Sequence, residues 1–226
     1  MVQAKSVRLG FTKTGRLQFI SHLDLARTMS RVIVRAGVPI WYTEGFNPRP
    51  KLVFALPLSI GTESVTEFVD FKITEDMSNE EIARRVAAEF APEMKVNGVW
   101  YPERKFTELM YAVYDIEIHS GKICDGISRE VGKMFTSPLM VMKRSKSGEK
   151  EVDLSSMIKK MTVKDTGKVL KITATLPCDS ANYLNPEYIV KAIAEKLDID
   201  FNKVETEYYS IMRCGAKLAD GETDFR

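Results

Sequence analysis

An α+β fold of two tandem β-α-β-β-α-β halves, each an antiparallel sheet with helices on one face, is what the hydrophobic pattern of this chain predicts. Three observations carry that expectation. Segments in which apolar residues alternate with polar ones are interleaved with segments in which they recur at helical spacing. The two kinds come in the order β-α-β-β-α-β up to Tyr101, and again from Leu109. The length, 226 residues, suits two compact units of about 100 residues each. The order is that of ferredoxin-like domains. One ferredoxin-like half is therefore expected over 1–104 and a second, with an insertion, over 105–214, followed by a flexible tail over 215–226.

In the first half, Val7, Leu9 and Phe11 alternate with Arg8, Gly10 and Thr12 as a half-buried strand does, and Lys13-Thr14-Gly15 turns the chain. Ser21 stands as a helix N-cap with Asp24 three residues on. The helix is expected to reach about Ala36 and stop at Gly37, with Pro39 beyond. Leu25, Met29, Val32 and Ala36 share one face, and Arg27, Arg31 and Arg35 form the opposite ridge. Ile40–Tyr42 reads as extended and Glu44–Pro50 as a loop. Lys51–Leu58 and Glu67–Thr74 read as strands. Asn79–Phe90 is a helix with Glu80 and Glu81 in its first turn, and Met94–Tyr101 returns as a strand.

In the second half, Leu109–His119 alternates as a strand, Gly126–Phe135 is a short helix and Leu139–Arg144 a strand. Ser145–Lys150 is an exposed turn. Leu154, Ile158 and Met161 favour an inserted amphipathic helix within Val152–Thr162. Val169–Leu176 is a strand, Pro186–Leu197 a helix and Val204–Arg213 the final strand.

Hydrophobic residues make up 44% of the chain and charged residues 28%, enough for real cores under an ordinary polar surface. The net charge of +2 is unevenly spread. Residues 1–60 hold nine Lys/Arg against two acids, Asp24 and Glu44, a balance of +7 that leaves −5 for the remainder. An electropositive N-terminal surface would attract phosphates or an acidic protein; a solvated basic helix face would give the same count. Cys124, Cys178 and Cys214 lie far apart without CxxC spacing, so neither a metal site nor any other cofactor is expected. The start, MVQAKSVRLGF, lacks an apolar leader, and no run approaches the ~18 apolar residues of a membrane span. A soluble cytoplasmic protein is expected.

Catalytic chemistry has little to stand on. There are two histidines, His22 and His119. His22 with Asp24 is the candidate catalytic pair, His22 serving as general acid or base; the plain alternative is a helix-start histidine satisfied by a backbone group. No nucleotide-binding glycine loop, HExxH helix or local Ser/His/Asp signature is present. Residues 41–51, Trp-Tyr-Thr-Glu-Gly-Phe-Asn-Pro-Arg-Pro-Lys, are the most informative stretch. Tyr42 and Phe46 offer flat faces for bases, with Trp41 beside them. Arg49 and Lys51 offer charge for phosphates, on a loop stiffened by Pro48 and Pro50. The same residues could anchor a protein partner, or cap the end of the helix–sheet core. Arg8, Lys13, Arg16, Arg27, Arg31 and Arg35 would extend the basic surface, and Asn47 completes the candidate nucleic-acid contacts.

Three blocks, Val7-Arg-Leu-Gly-Phe-Thr-Lys-Thr-Gly-Arg-Leu-Gln-Phe-Ile-Ser-His-Leu-Asp24, Glu44-Gly-Phe-Asn-Pro-Arg-Pro-Lys51 and Leu58-Ser-Ile-Gly-Thr-Glu-Ser64, resemble the radical-SAM-linked DUF2344 family of unknown function. The resemblance implies an association with a radical SAM protein or with RNA processing. It implies a shared site of Arg8, Lys13, Gly15, Ser21, His22, Asp24, Gly45, Phe46, Asn47, Pro48 and Lys51. Many relatives carry histidine where this chain has Arg49. The CxxxCxxC motif of a radical SAM cluster is absent, so any such partner would be a separate protein. The function expected is a non-catalytic RNA-binding or accessory protein. The alternatives are a module that docks on a radical SAM enzyme, or an RNA-processing enzyme using His22.

Overall fold

The computed structural model describes residues 4–145, 148–179 and 181–226. Contacts divide the chain into two compact units: residues 1–108 with Phe225 and Arg226, and residues 109–224. Each is a mixed helix–strand unit whose strands pair antiparallel. Among the described residues no helix is long and apolar enough to cross a membrane. Lys146 and Ser147, in the turn expected at 145–150, and the first three residues of the N-terminal stretch lie outside the described residues.

In the first unit, β1 (Lys5–Lys13) leads through a 3-10 turn at Gly15–Phe19 into α1 (His22–Arg35). The Ser21 side chain accepts from the Asp24 N–H, satisfying one of the free donors of the first turn. At the far end Gly37 takes φ +63°, a left-handed conformation that glycine adopts without penalty. Then come β2 (Val53–Phe54), β3 (Thr62–Ile73), α2 (Asn79–Glu89) and β4 (Val96–Trp100), in the strand order β4-β1-β3-β2. Leu9 faces Val69 and Val7 faces Phe71 across the β1–β3 ladder. These side chains meet Leu25, Met29 and Ile33 of α1 and Ile82 and Val86 of α2 in one core. The strand expected over Lys51–Leu58 shortens to two residues. One further bond, Ala55 N–H to Phe68 O, follows before Pro57, which has no N–H to continue a ladder.

In the second unit, β5 (Tyr111–His119), β8 (Lys160–Thr166), β9 (Val169–Pro177) and β10 (Tyr208–Lys217) lie in the order β10-β5-β9-β8. Helices α3 (Ile127–Met134) and α5 (Glu187–Leu197) complete it, with a hairpin of β6 (Met140–Ser145) and β7 (Gly148–Asp153) inserted before β8. The amphipathic helix expected within Val152–Thr162 is corrected. Asp153 caps only the single turn α4 (Leu154–Met157), and the chain then pairs with β9. Exposed Lys160, Thr162 and Lys164 alternate there with half-buried Met161 and Val163, a strand period that the Leu154–Ile158–Met161 spacing had masked. Residues 215–226, expected as a loose tail, instead complete β10 to Lys217. A turn held by the Asp220 carboxylate on the Glu222 and Thr223 amides follows, and Phe225 is 2% exposed.

Arg8 is the principal correction to the expected basic surface: it is 0% exposed, inside the first unit. Its guanidinium grips both Asp70 oxygens at 2.8 Å and donates to the main-chain oxygens of Arg104 (2.9 Å) and Arg226 (3.0 Å). The rings of Phe106 and Phe225 lie 4.3 and 4.8 Å from its Cζ. A buried cation stripped of its anion is strongly destabilising. Asp70→Asn should therefore lower unfolding stability by about 3–5 kcal/mol, whereas Arg8→Met with Asp70→Leu should lose much less. Urea unfolding of the three proteins measures the difference.

On α2, Glu81 bridges Arg84 and Arg85, and their hydrogen bonds, Arg84's first, hold its carboxyl down to about 2. A depressed carboxylate contributes stability that is complete above its ordinary pKa and is lost as pH falls through the folded one. The stability difference between wild type and Glu81→Gln should be constant near neutrality and shrink progressively toward pH about 2. Thermal melts across that range report it.

Candidate nucleic-acid interface

Residues 42–50 form a short hairpin. Tyr42 bridges Pro50, the Thr43 N–H donates to Arg49 O at 2.9 Å, and the Arg49 N–H donates to Thr43 Oγ1 at 3.2 Å. Pro50, without an N–H, occupies the position of the pair that needs none. Gly45 takes φ +121° in open space, which lets the chain reverse, and the Phe46 side chain at the apex is 107% exposed. Asn47 beside it is exposed too.

Folding cancels much of the charge seen along the sequence. Of the nine basic residues before position 60, Lys5 pairs with Asp76, Arg8 with Asp70, Arg16 with Glu93 (3.5 Å), Arg27 with Asp24 (3.4 Å) and Arg35 with Glu89 (2.9 Å). Lys13 is 1% exposed with its Nζ 3.4 Å from Gln18 O, so like Arg8 it belongs to the interior and not to a phosphate-facing surface. Among the described residues Arg31, Arg49 and Lys51 remain exposed without an ion pair. The acids in these pairs come mostly from residues 70–93, on β3, α2 and the turns that follow them.

Strand alternation decides which of these residues can act together. Antiparallel partners share a face, and successive residues point to opposite faces. Val7, Leu9, Val69 and Phe71 face the helices, so Asp70 and Lys72 face the other side with Arg8. Ile40, bridged to Ile73, is buried on the helix side. Trp41, whose N–H donates to Lys72 O at 2.8 Å, therefore turns to the opposite side beside Lys72. Leu52 and Phe54 pack on the helix-side core, which turns Lys51 and Val53 outward. The residues grouped by sequence thus fall into two sets. Arg27, Arg31 and Arg35 lie on α1, on the helix side; Lys51 lies on the opposite face with Trp41 and Lys72, and Arg49 is exposed on the hairpin. Lys72 was missed in the sequence, although its place between the buried Phe71 and Ile73 carried the period-2 signal.

The candidate catalytic pair is not assembled. Asp24 is engaged by Ser21 Oγ at 2.7 Å and by Arg27, and residues two apart on a helix do not face each other. The His22 ring meets Phe54 edge-on at 5.1 Å and, among the described residues, makes no hydrogen bond or ion pair. Burial pushes the Cys178 thiol up to about 12 and that of Cys214 up to about 11, which disfavours the thiolate form a nucleophile needs. Among the described residues no cluster of His, Cys, Asp or Glu has the arrangement to hold a metal ion.

No curated protein matches the chain. A crystal structure of an unknown protein from Galdieria sulphuraria aligns over 92% of this chain and 96% of that one, at 6% identity and a TM-score of 0.29, too low to carry an argument. A family model does match, over residues 6–186, taking in β1, the hairpin of 42–50 and the greater part of the second unit. The chain belongs to DUF2344, the family described as uncharacterized proteins conserved in bacteria.

Proposed function

We propose that this protein binds RNA in the cytoplasm without chemically altering it, engaging unpaired nucleotides through the hairpin of residues 42–50. The observation that carries this reading is the apex itself: a fully exposed Phe46 on a stiffened turn, followed by Arg49 and Lys51, which no acidic side chain among the described residues engages. Aromatic rings stack on bases of any sequence, and unpaired cations neutralise phosphates. The same reading takes each unit as a ferredoxin-like half. It is supported by the equivalent strand orders β4-β1-β3-β2 and β10-β5-β9-β8. A radical SAM enzyme working on RNA is the partner such an accessory protein would serve.

The test is fluorescence anisotropy with a pool of short single-stranded RNAs at two salt concentrations. Affinity should fall with salt, and the Arg49→Ala/Lys51→Ala variant should bind less tightly with a log–log salt slope shallower by about 1.4, two phosphate contacts at roughly 0.7 each. Phe46→Ser should leave unfolding stability within about 0.5 kcal/mol of wild type, since the ring buries nothing, yet weaken binding by about 1–3 kcal/mol. An absence of RNA binding, with nuclease-insensitive capture of a radical SAM protein through the same hairpin, would replace this reading with that of a protein dock.

A further inference from the structure

Resting on the RNA reading above, we propose that the contact surface continues from the Phe46 apex onto one face only: the strip of Trp41, Arg49, Lys51 and Lys72 on the side of the first unit's sheet away from its helices. Trp41 is its stacking residue. The α1 arginines and Tyr42 take no part. The register argues for this. Trp41 and Lys72 are joined through their main chains, Trp41 N to Lys72 O, and project to the same side. Leu52 and Phe54 anchor the strand leaving the hairpin to the helix-side core, which fixes Lys51 outward. Lys72 is exposed and, among the described residues, makes no ion pair. The strip therefore holds three free cations from two separate chain segments around a half-buried indole.

Within the RNA reading, chemistry narrows the ligand to a single strand. An indole lying in a sheet surface can receive only a base whose face is free, and the bases of an A-form duplex are stacked on one another. Phosphates running past the stacked base would meet Lys72 on one strand and Lys51 and Arg49 on the other. Arg31 on α1, although equally unpaired, is separated from this path by the sheet. Tyr42, next to Trp41 along an extended segment, projects to the opposite side of the backbone and is assigned no contact with the base that stacks on Trp41.

Titration of a short single-stranded RNA into the full chain, read by anisotropy and by tryptophan emission, tests the assignment. The chain has two tryptophans, Trp41 and Trp100, and only Trp41 lies on the strip. RNA should quench the emission, and Trp41→Phe should abolish the quenching while retaining most of the affinity, because phenylalanine still stacks. Lys72→Gln should weaken binding several-fold and flatten the salt slope by about 0.7. Arg31→Gln and Tyr42→Ala should match wild type, and the same RNA annealed to its complement should bind far more weakly. Loss of affinity in Arg31→Gln or Tyr42→Ala, with Lys72→Gln unaffected, would overturn the strip while leaving the RNA reading intact. No binding by the wild type would overturn both.

Discussion

The buried guanidinium of Arg8 is the constraint around which the first unit is organised. A cation with no solvent exposure has to find anions and carbonyls for its donors, and Arg8 finds them in Asp70, Arg104 and Arg226. Two of those partners are main-chain oxygens outside the sheet. The segments that carry them must lie across the sheet face opposite the helices, and Phe106 and Phe225 close over the guanidinium with their π faces. This is why burial in β1 is continuous from Val7 to Lys13 instead of alternating. One parity meets the helices and, along the middle of the strand, the other meets this second cover. The Trp100 ring adds to it, lying so close over Gly10 and Gly98 that a Cβ on either would collide with it.

That arrangement bears on function by subtraction. A strand residue that looks like a phosphate ligand in the sequence is spent on structure, and Lys13 is interior as well. Among the described residues, only Arg31, Arg49 and Lys51 of the nine basic residues before position 60 stay exposed without an ion pair, so that segment does not present a broad electropositive surface. It presents particular cations at particular positions. Long-range attraction of a polyanion is correspondingly modest, and any selective contact must come from geometry near the aromatic residues.

How much of this was legible in the sequence follows from which interactions are local. Helix α1 was readable because its cap, its apolar stripe and its terminating glycine lie within sixteen residues of one another. DUF2344 membership was readable because its motifs are contiguous. The shortness of β2 was less so: Leu52 to Leu58 alternates well enough, but the pairing partner and the effect of Pro57 depend on β3. The role of Arg8 could not be read at all, since Asp70 and the 225–226 segment are far away in the chain. The false helix at 152–162 arose because three apolar residues at helical spacing also fit a cap, a turn and the start of an edge strand.

Phe46 bears most directly on what the hairpin is for. Burying a phenylalanine side chain is worth about 1.5–3 kcal/mol, and this one contributes none of that to the fold. A single exposed apolar residue on a floppy loop would need no explanation. Here the ring stands on a turn ordered by the Tyr42–Pro50 bridge, the paired Thr43 and Arg49, and two prolines that restrict the backbone. The entropy of ordering the loop is therefore already lost in the free protein, and a ligand that stacks on the ring does not have to supply it. Rigidity without burial stabilises the chain little. It helps a binding surface, because it moves the cost of ordering from the binding step to the folding step. The same logic extends to Trp41, whose backbone is held at the sheet edge by its bond to Lys72 O: its indole is half-buried, and a flat ligand would find the chain that carries it already ordered.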